Sequence, residues 1–368
     1  MKEQIKSVSP EYCAAGLRIK INRSARSSWF RLMCESLGNQ CEHMDIKSHE
    51  KESPDILLCD FANLNELPTS EVVGNSYSLR NDIFVDHSKR IGIRFVEKNK
   101  LEYWHDLSYE LSIPFLIQLV LLQRGQSFVH SAGVTVNGKA CVFPAFGGIG
   151  KTLIVSHLLK HPQIKLLGDD LVSLNSNGTA SSYARPFCLY EYHRSAFEDI
   201  FNRIAVRYLK PSLLWRIYRR AELELRIRYD IRLPRLARYT GISGDYVLVS
   251  PVSIFGPEKI QSEVAAIDKV ILVKKNISLQ EIRVSKGVDY REVAHFAANV
   301  TMHEWSSYAR TLMAFGGFSE LVIKDYFQTT YDVTERAFSA AREVFLIELP
   351  GKFDMESYFR EVENLILN

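Results

Sequence analysis

The alternation of apolar and polar positions divides the chain into strand-like and helix-like stretches. LRIKINR (17–23), DILLCDF (55–61) and DIFVDHSKRIGIRFVE (82–97) follow the period of half-buried strands. SWFRLMCESLG (28–38) has helical spacing and ends on a glycine suited to a C-cap. From about Leu107 the pattern sharpens. YELSIPFLIQLVLLQRG predicts a buried helix ending at Gly125. GVTVNGKACVF predicts a hairpin around Asn137-Gly138, a dipeptide that tolerates the positive φ values of a type I′ turn. Next come a glycine cluster, the helical KTLIVSHLLKH stopped by Pro162, and the short apolar strand IKLLG (164–168). LVSL and SSYARPF flank a turn at Asn177-Gly178. AIDKVILVKK (266–275) reads as a core strand, 290–315 as helices, VFLIEL (344–349) as a last strand and FDMESYFREVENLIL as a final helix. The reading is an α/β chain with a small α+β accessory domain at 1–95 and a larger domain at 96–368.

Composition changes this picture little. The chain has 368 residues, 46% hydrophobic and 24% charged, which excludes a disordered chain or a fibre. A net charge of +3 gives no reason to expect nucleic acid as a partner. The six cysteines show no C-x-x-C pair, the first residues lack the apolar run of a signal peptide, and no apolar stretch reaches the ~20 residues of a membrane span. A cytoplasmic protein with reduced thiols is expected. One segment stands apart. Residues 201–240 hold ten arginines and one lysine against Glu222, Glu224 and Asp230, interleaved with Tyr208, Trp215, Tyr218, Tyr229 and Tyr239. This reads as a basic helical insertion. It suits a lid over ATP, a dock for an acidic or phosphorylated substrate, a surface for anionic lipid or a solvated face, and the substrate-facing lid is favoured.

Chemistry concentrates in Ala145-Phe-Gly-Gly-Ile-Gly-Lys-Thr152. It fits the phosphate-binding pattern G-x-x-x-x-G-K-[ST], with alanine in place of the first glycine. Small residues let backbone N–H groups curl around a phosphate chain, and the following helix aims its free amides at the same anion. Lys151 would neutralise phosphate oxygens, and the Thr152 hydroxyl would ligate Mg²⁺. A relaxed match arises by chance roughly 0.03 times in a chain of this length. Eighteen residues after Lys151, Asp169 and Asp170 end the apolar strand LLG. There one carboxylate can hold metal while the other takes a proton from an attacking hydroxyl. His130, before Ser131-Ala-Gly133, reads from the residues alone as structural.

HSAGVTVNGKACVFPAFGGIGKT followed by LLGDDLVSL resembles the HPr kinase/phosphorylase-like group of P-loop kinases. The resemblance is specific from about Phe128 to Leu174, looser to the C-terminus, and does not cover 1–95. It implies a phosphoenolpyruvate carboxykinase-type nucleotide fold with a mixed sheet and flanking helices. It also implies that Ala145, Phe146, Gly147, Gly148, Ile149, Gly150, Lys151 and Thr152 bind ATP, and that Thr152 and Asp170 hold Mg²⁺. Asp169 would be the general base, with His130 beside it assisting its proton handling; the two aspartate roles are interchangeable at this level. The glycine-bearing signature of HPr kinases is absent, since ELRIRYDIRL (224–233) contains no glycine. The expected activity is therefore an ATP- and Mg²⁺-dependent kinase acting on a hydroxyl of a small molecule, or of a serine in a peptide or protein other than HPr. The alternative is a nucleotide-binding regulatory or scaffold module without turnover, and a third reading is an ATP hydrolase. The sequence leaves room for a homo-oligomer and for an anionic acceptor.

Overall fold

The computed structural model describes residues 11–21, 42–43, 53–69, 71–74, 77–88, 90–97, 99–105, 113–190, 193–194, 196–204, 246–316 and 325–367. The expected helix at 28–38 and nearly all of the basic block lie outside these residues. Contacts divide the chain into one unit of residues 1–185 and 258–368 and a second of 186–257.

The larger unit holds two mixed sheets. The first contains β1 (Glu11–Ala14), β2 (Leu17–Ile21), β3 (Glu42–His43), β4 (Ile56–Asp60), β5 (Glu71–Gly74), β6 (Tyr77–Arg80), β7 (Ile83–Asp86), β8 (Ile91–Glu97) and β9 (Lys100–His105). Their order is β3-β1-β2-β4-β9-β8-β7-β6-β5. β2, β4 and β9 pair in parallel, and the remaining neighbours are antiparallel. The expected strands are therefore present, and β8 and β9 carry this sheet past residue 95 to His105. Its tight turns use left-handed residues, Ala15-Gly16 and Asn81-Asp82. Apolar side chains of β1, β2, β4, β8 and β9 pack with α1 (Ile113–Gln123) in one core that also takes in Phe128, Trp305 and Tyr326. Burial all round explains why α1 is almost wholly apolar. Its one buried polar side chain, Gln118, is satisfied by the second sheet. The Phe128 N–H donates to Gln118 Oε1 at 2.6 Å, and Gln118 Nε2 donates to Ser127 Oγ at 2.9 Å.

The second sheet follows the order β11-β10-β13-β14-β17-β19-β18, with β12 also on β10. Its strands are β10 (Gln126–Val136), β11 (Lys139–Pro144), β12 (Ile164–Gly168), β13 (Leu171–Asn175), β14 (Thr179–Ser181), β17 (Ala265–Lys275), β18 (Arg283–Lys286) and β19 (Glu343–Leu349), leaving β15 and β16 for the smaller unit. β17 also pairs in parallel with β11, so five strands close a ring. The ring packs against α5 (Tyr290–Gly316) and α6 (Tyr326–Ser339) through Val293, Ala294, Ala297, Ala337 and Phe338. The helical stretch at 290–315 is thus a single long helix. The Asn137-Gly138 turn forms as expected, with φ of 50° and 79°. β10 begins earlier than its alternation suggests because both its faces are buried, which erases the polar half of the pattern. α2 (Lys151–Leu158) and the C-terminal α7 (Met355–Leu367) complete this unit.

The smaller unit pairs β15 (Phe187–Tyr190) with β16 (Tyr246–Val249). It also contains α3 (Glu198–Ile204) and α4 (Pro251–Phe255), with Phe197 and Phe255 packed edge-on against Phe187. Among the described residues no helix is long and apolar enough to cross a membrane.

Candidate active site

β10 organises the site by changing partners midway. Residues 126–130 pair with β13, and residues 133–136 pair with β12. His130 is opposite Leu171 and Gly133 opposite Gly168, so β12 and β13 follow one another along β10. Asp169 and Asp170 fill the break between them. The Ser131 N–H donates to the Asp170 carbonyl at 3.1 Å, which keeps the two lines in register across the break. Asp170 has φ of +76°, an uncommon conformation for a residue with a side chain. It interrupts the alternation that would send neighbouring carboxylates to opposite faces. Gly168 is required here, because a Cβ would lie 2.2 Å from the Leu171 carbonyl oxygen.

The same strand fixes the phosphate-loop candidate. Ser131 is paired with Pro144, the last residue of β11, so the 145–150 loop leaves the sheet beside His130. The chain then turns through Gly148 and Gly150, with φ of +76° and +87°, into α2, and returns as β12 on the other side of β10. Gly150 caps α2, whose first amides have no acceptor within the helix. Ala145 and Ile149 are buried, Gly147 and Gly148 are exposed, and Phe146 is 44% exposed with its ring edge-on to Phe296.

Lys151 and Thr152, the first residues of α2, reach back to the sheet. Lys151 Nζ donates to the Ala145 and Phe146 carbonyls at 2.9 and 3.0 Å and lies 2.8 Å from His130 Nε2. His130 Nδ1 is 3.3 Å from Asp170 Oδ1, and Arg185 Nη1 donates to Asp170 Oδ2 at 3.3 Å. Thr152 donates to Asp169 Oδ2 at 2.8 Å. Six of the residues singled out in the sequence, Ala145, Phe146, Lys151, His130, Thr152 and Asp169, are thus linked by contacts that meet at the Asp169-Asp170 pair, and Gly150 caps the helix that carries Lys151 and Thr152. His130, however, sits beside Asp170 rather than Asp169. The partner change in β10, which alternation cannot reveal, decides this.

The electrostatics follow from burial. Desolvation, then the Lys151 charge, hold the His130 imidazolium down to about 4, so the ring is neutral. Its Nε2 faces an ammonium and must accept; the proton is therefore on Nδ1, directed at Asp170. Burial also lowers Lys151, opposed by Asp170, Asp169 and Glu304. Burial, with help from the neighbouring Asp170 charge, pushes Asp169 up to about 6. Asp169 Oδ1 is buried without a hydrogen-bond partner among the described residues.

A pocket of about 200 Å³ opens at this cluster, lined by His130, Asp170, Arg185, Thr301, Glu304 and Trp305. Asp170 contributes a carboxylate to its wall, with a side chain 49% exposed. The last three residues belong to α5 and were not singled out in the sequence. Thr301 Oγ1 accepts the His130 backbone N–H at 2.9 Å and donates to the Ala297 carbonyl at 2.8 Å. The available signal was a lone hydroxyl in the buried stripe Val293, Ala294, Ala297, Ala298, Thr301 and Trp305. Arg185 is brought here because Tyr183 bridges Gly168. Arg194, also weighed as a phosphate contact, lies in the smaller unit with its guanidinium 5.0 Å from the Phe201 ring.

No family model matches this chain, and no curated protein does. Among solved structures, the chain is similar to that of the Hpr(Ser) kinase/phosphatase from Coxiella burnetii. That likeness covers 66% of this chain and 97% of the other, at 9% identity and a TM-score of 0.28. A likeness this slight carries no argument, and any function has to be read from the site itself.

Proposed function

We propose that the protein is an ATP- and Mg²⁺-dependent phosphotransferase with a P-loop kinase core of the phosphoenolpyruvate carboxykinase type, acting on a hydroxyl acceptor. The observation that carries this reading is the convergence of two chain segments at β10. The Lys151-Thr152 pair meets the Asp169-Asp170 pair through a 2.8 Å Thr152–Asp169 hydrogen bond and the Lys151–His130–Asp170 chain. A structural turn has no need of a buried carboxylate, with a second at the pocket edge, close to a buried lysine, since burying charge is costly.

In this reading the amides of Gly147 to Thr152 bind the ATP phosphates, and Lys151 exchanges its loop carbonyls for phosphate oxygens. Thr152 and Asp169 hold Mg²⁺; the unpartnered Asp169 Oδ1 beside the Thr152 hydroxyl supports that fit. The ion would neutralise charge on the β- and γ-phosphates. Asp170 is the general base. It faces the pocket, and His130 and Arg185 hold its two oxygens in place. The acceptor oxygen bonds to the γ-phosphorus as the bridging P–O bond to ADP breaks, and the acceptor proton passes to Asp170. Relative to the sequence reading, the roles of the two aspartates are exchanged.

Calorimetry with Mg-ATP tests the binding half. Lys151→Ala should weaken affinity by at least about tenfold, the worth of 1.4 kcal/mol, without unfolding the chain. Equal affinity in both proteins would overturn the assignment. Incubation with γ-labelled ATP and cell extract tests the transfer half. A labelled product is expected; binding without any product or ADP would favour the regulatory module.

A further inference from the structure

A second cluster lies at the opposite end of α2. His157 and His161 stand four residues apart in HLLKH, and the turn continues past α2 through the Leu159 and His161 N–H groups, which donate to Val155 and Leu158. Residues at this spacing share a helix face. α7 crosses them and brings Glu363, whose Oε1 lies 2.8 Å from His157 Nε2 and 2.6 Å from His161 Nε2. The three donor atoms fall within 4.8 Å of one another. Phe359, one turn before Glu363, stacks on the His157 ring at 4.3 Å and 12°, fixing its plane.

We propose that His157, His161 and Glu363 form a Zn²⁺ site that staples α7 to α2. The donor chemistry selects the ion: two imidazoles and one carboxylate suit zinc, whereas Mg²⁺ and Ca²⁺ prefer oxygen ligands. Two neutral rings and one carboxylate carry a single negative charge against the dication. A simple ion pair would place two N–H donors on one carboxylate oxygen while each ring holds the same tautomer. Replacing those two protons with one cation satisfies all three donor atoms, and Zn–N and Zn–O distances near 2.0–2.2 Å require only a slight spreading of the cluster. All three side chains are about one-quarter to one-third exposed, so the fourth position is open to water. Its nearest member, His157, sits about 9 Å along the helix from Lys151, given a rise of 1.5 Å per residue. It steadies the helix that presents Lys151 and Thr152 without touching the reacting groups.

The test uses tag-free, full-length protein, chelator-treated and free of Mg²⁺ and nucleotide. Titration with Zn²⁺ should show one site per chain and raise Tm, and Co²⁺ should produce the visible bands of a tetrahedral complex. Glu363→Gln and His157→Ala should each weaken Zn²⁺ binding by more than about 100-fold, since even the groups behind metal ligands are worth 10–100-fold. Asp170→Asn should leave Zn²⁺ affinity unchanged. Equal Zn²⁺ affinity in wild type and Glu363→Gln would overturn the site, as would loss of binding only in Asp170→Asn, which would put the ion at the phosphate loop. Glu363→Gln keeps the side-chain shape, so its unchanged unliganded Tm separates lost ligation from lost packing.

Discussion

Both sheets bend the chain through left-handed residues that are not glycine. In the first sheet Asn81 and Asp82 turn β6 into β7, with φ of 46° and 63°. In the second, Asp170 at 76° stands between β12 and β13. By residue type and dihedral the two places are alike. They differ in what the turn joins. Asn81-Asp82 reverses a hairpin whose strands pair with each other, and both side chains face solvent. Asp169-Asp170 interrupts two strands that run on along a third, so the break opens toward a loop, a helix and a pocket. Neither strain nor an acidic side chain marks a site; convergence of independent segments does.

The largest expected difference between the two places is kinetic. Asp170→Asn should lower phosphoryl transfer by about 10²–10⁴-fold, the usual worth of a general base, with Mg-ATP affinity nearly kept. Single-turnover rates with labelled ATP check this, and a rate within threefold of wild type would return Asp170 to a structural role. Next, Gly168→Ala should cost about 3 kcal/mol of stability, because its Cβ meets rigid backbone at 2.2 Å. Gly16→Ala in the first sheet meets nothing within 4 Å and should cost only about 1 kcal/mol for its positive φ. Denaturant unfolding of both variants ranks them, and equal losses would show that the break in β10's partners is no tighter than a hairpin.

Asp169→Asn should have a smaller effect of opposite sign. The folded state holds the Asp169 carboxyl up to about 6, above its ordinary value, so folding favours the proton. Stability from this group is greatest at pH 3–4 and declines as pH rises through 6, leaving the ionised carboxylate a net cost at neutral pH. In nucleotide- and Mg²⁺-free protein, Asp169→Asn should therefore gain about 1–3 kcal/mol at pH 7.5, and the gain should fade toward pH 4. Melting curves across that range decide it. Asp82→Asn, exposed and at a φ that asparagine tolerates, should shift stability by under about 0.5 kcal/mol at any pH.

The parts of the site that depend on neighbours in sequence were legible in advance. The glycines and Lys151, the Asn137-Gly138 turn and the IKLLG strand each carry their geometry in a few adjacent residues. The position of Asp170 against His130 was not, because it is set by the register of β10 against two strands. Thr301 was harder still, as it meets His130 from 171 positions away. The first sheet was visible only as separate strands, since its parallel pairs β2-β4 and β4-β9 join segments with no local turn between them. HLLKH showed its helical spacing, but Glu363 lies 202 residues beyond His161.

β10 also behaves as a ruler. Adding or deleting one residue between Phe128 and Gly133 would reverse the faces of every residue on one side of the change. His130 would turn away from Lys151, or the phosphate loop would start one step out of line with the aspartates. Hairpins such as Asn81-Asp82 can gain or lose residues at the surface with little loss. Length variation is therefore tolerable in such surface hairpins and not within the site's own measuring strand.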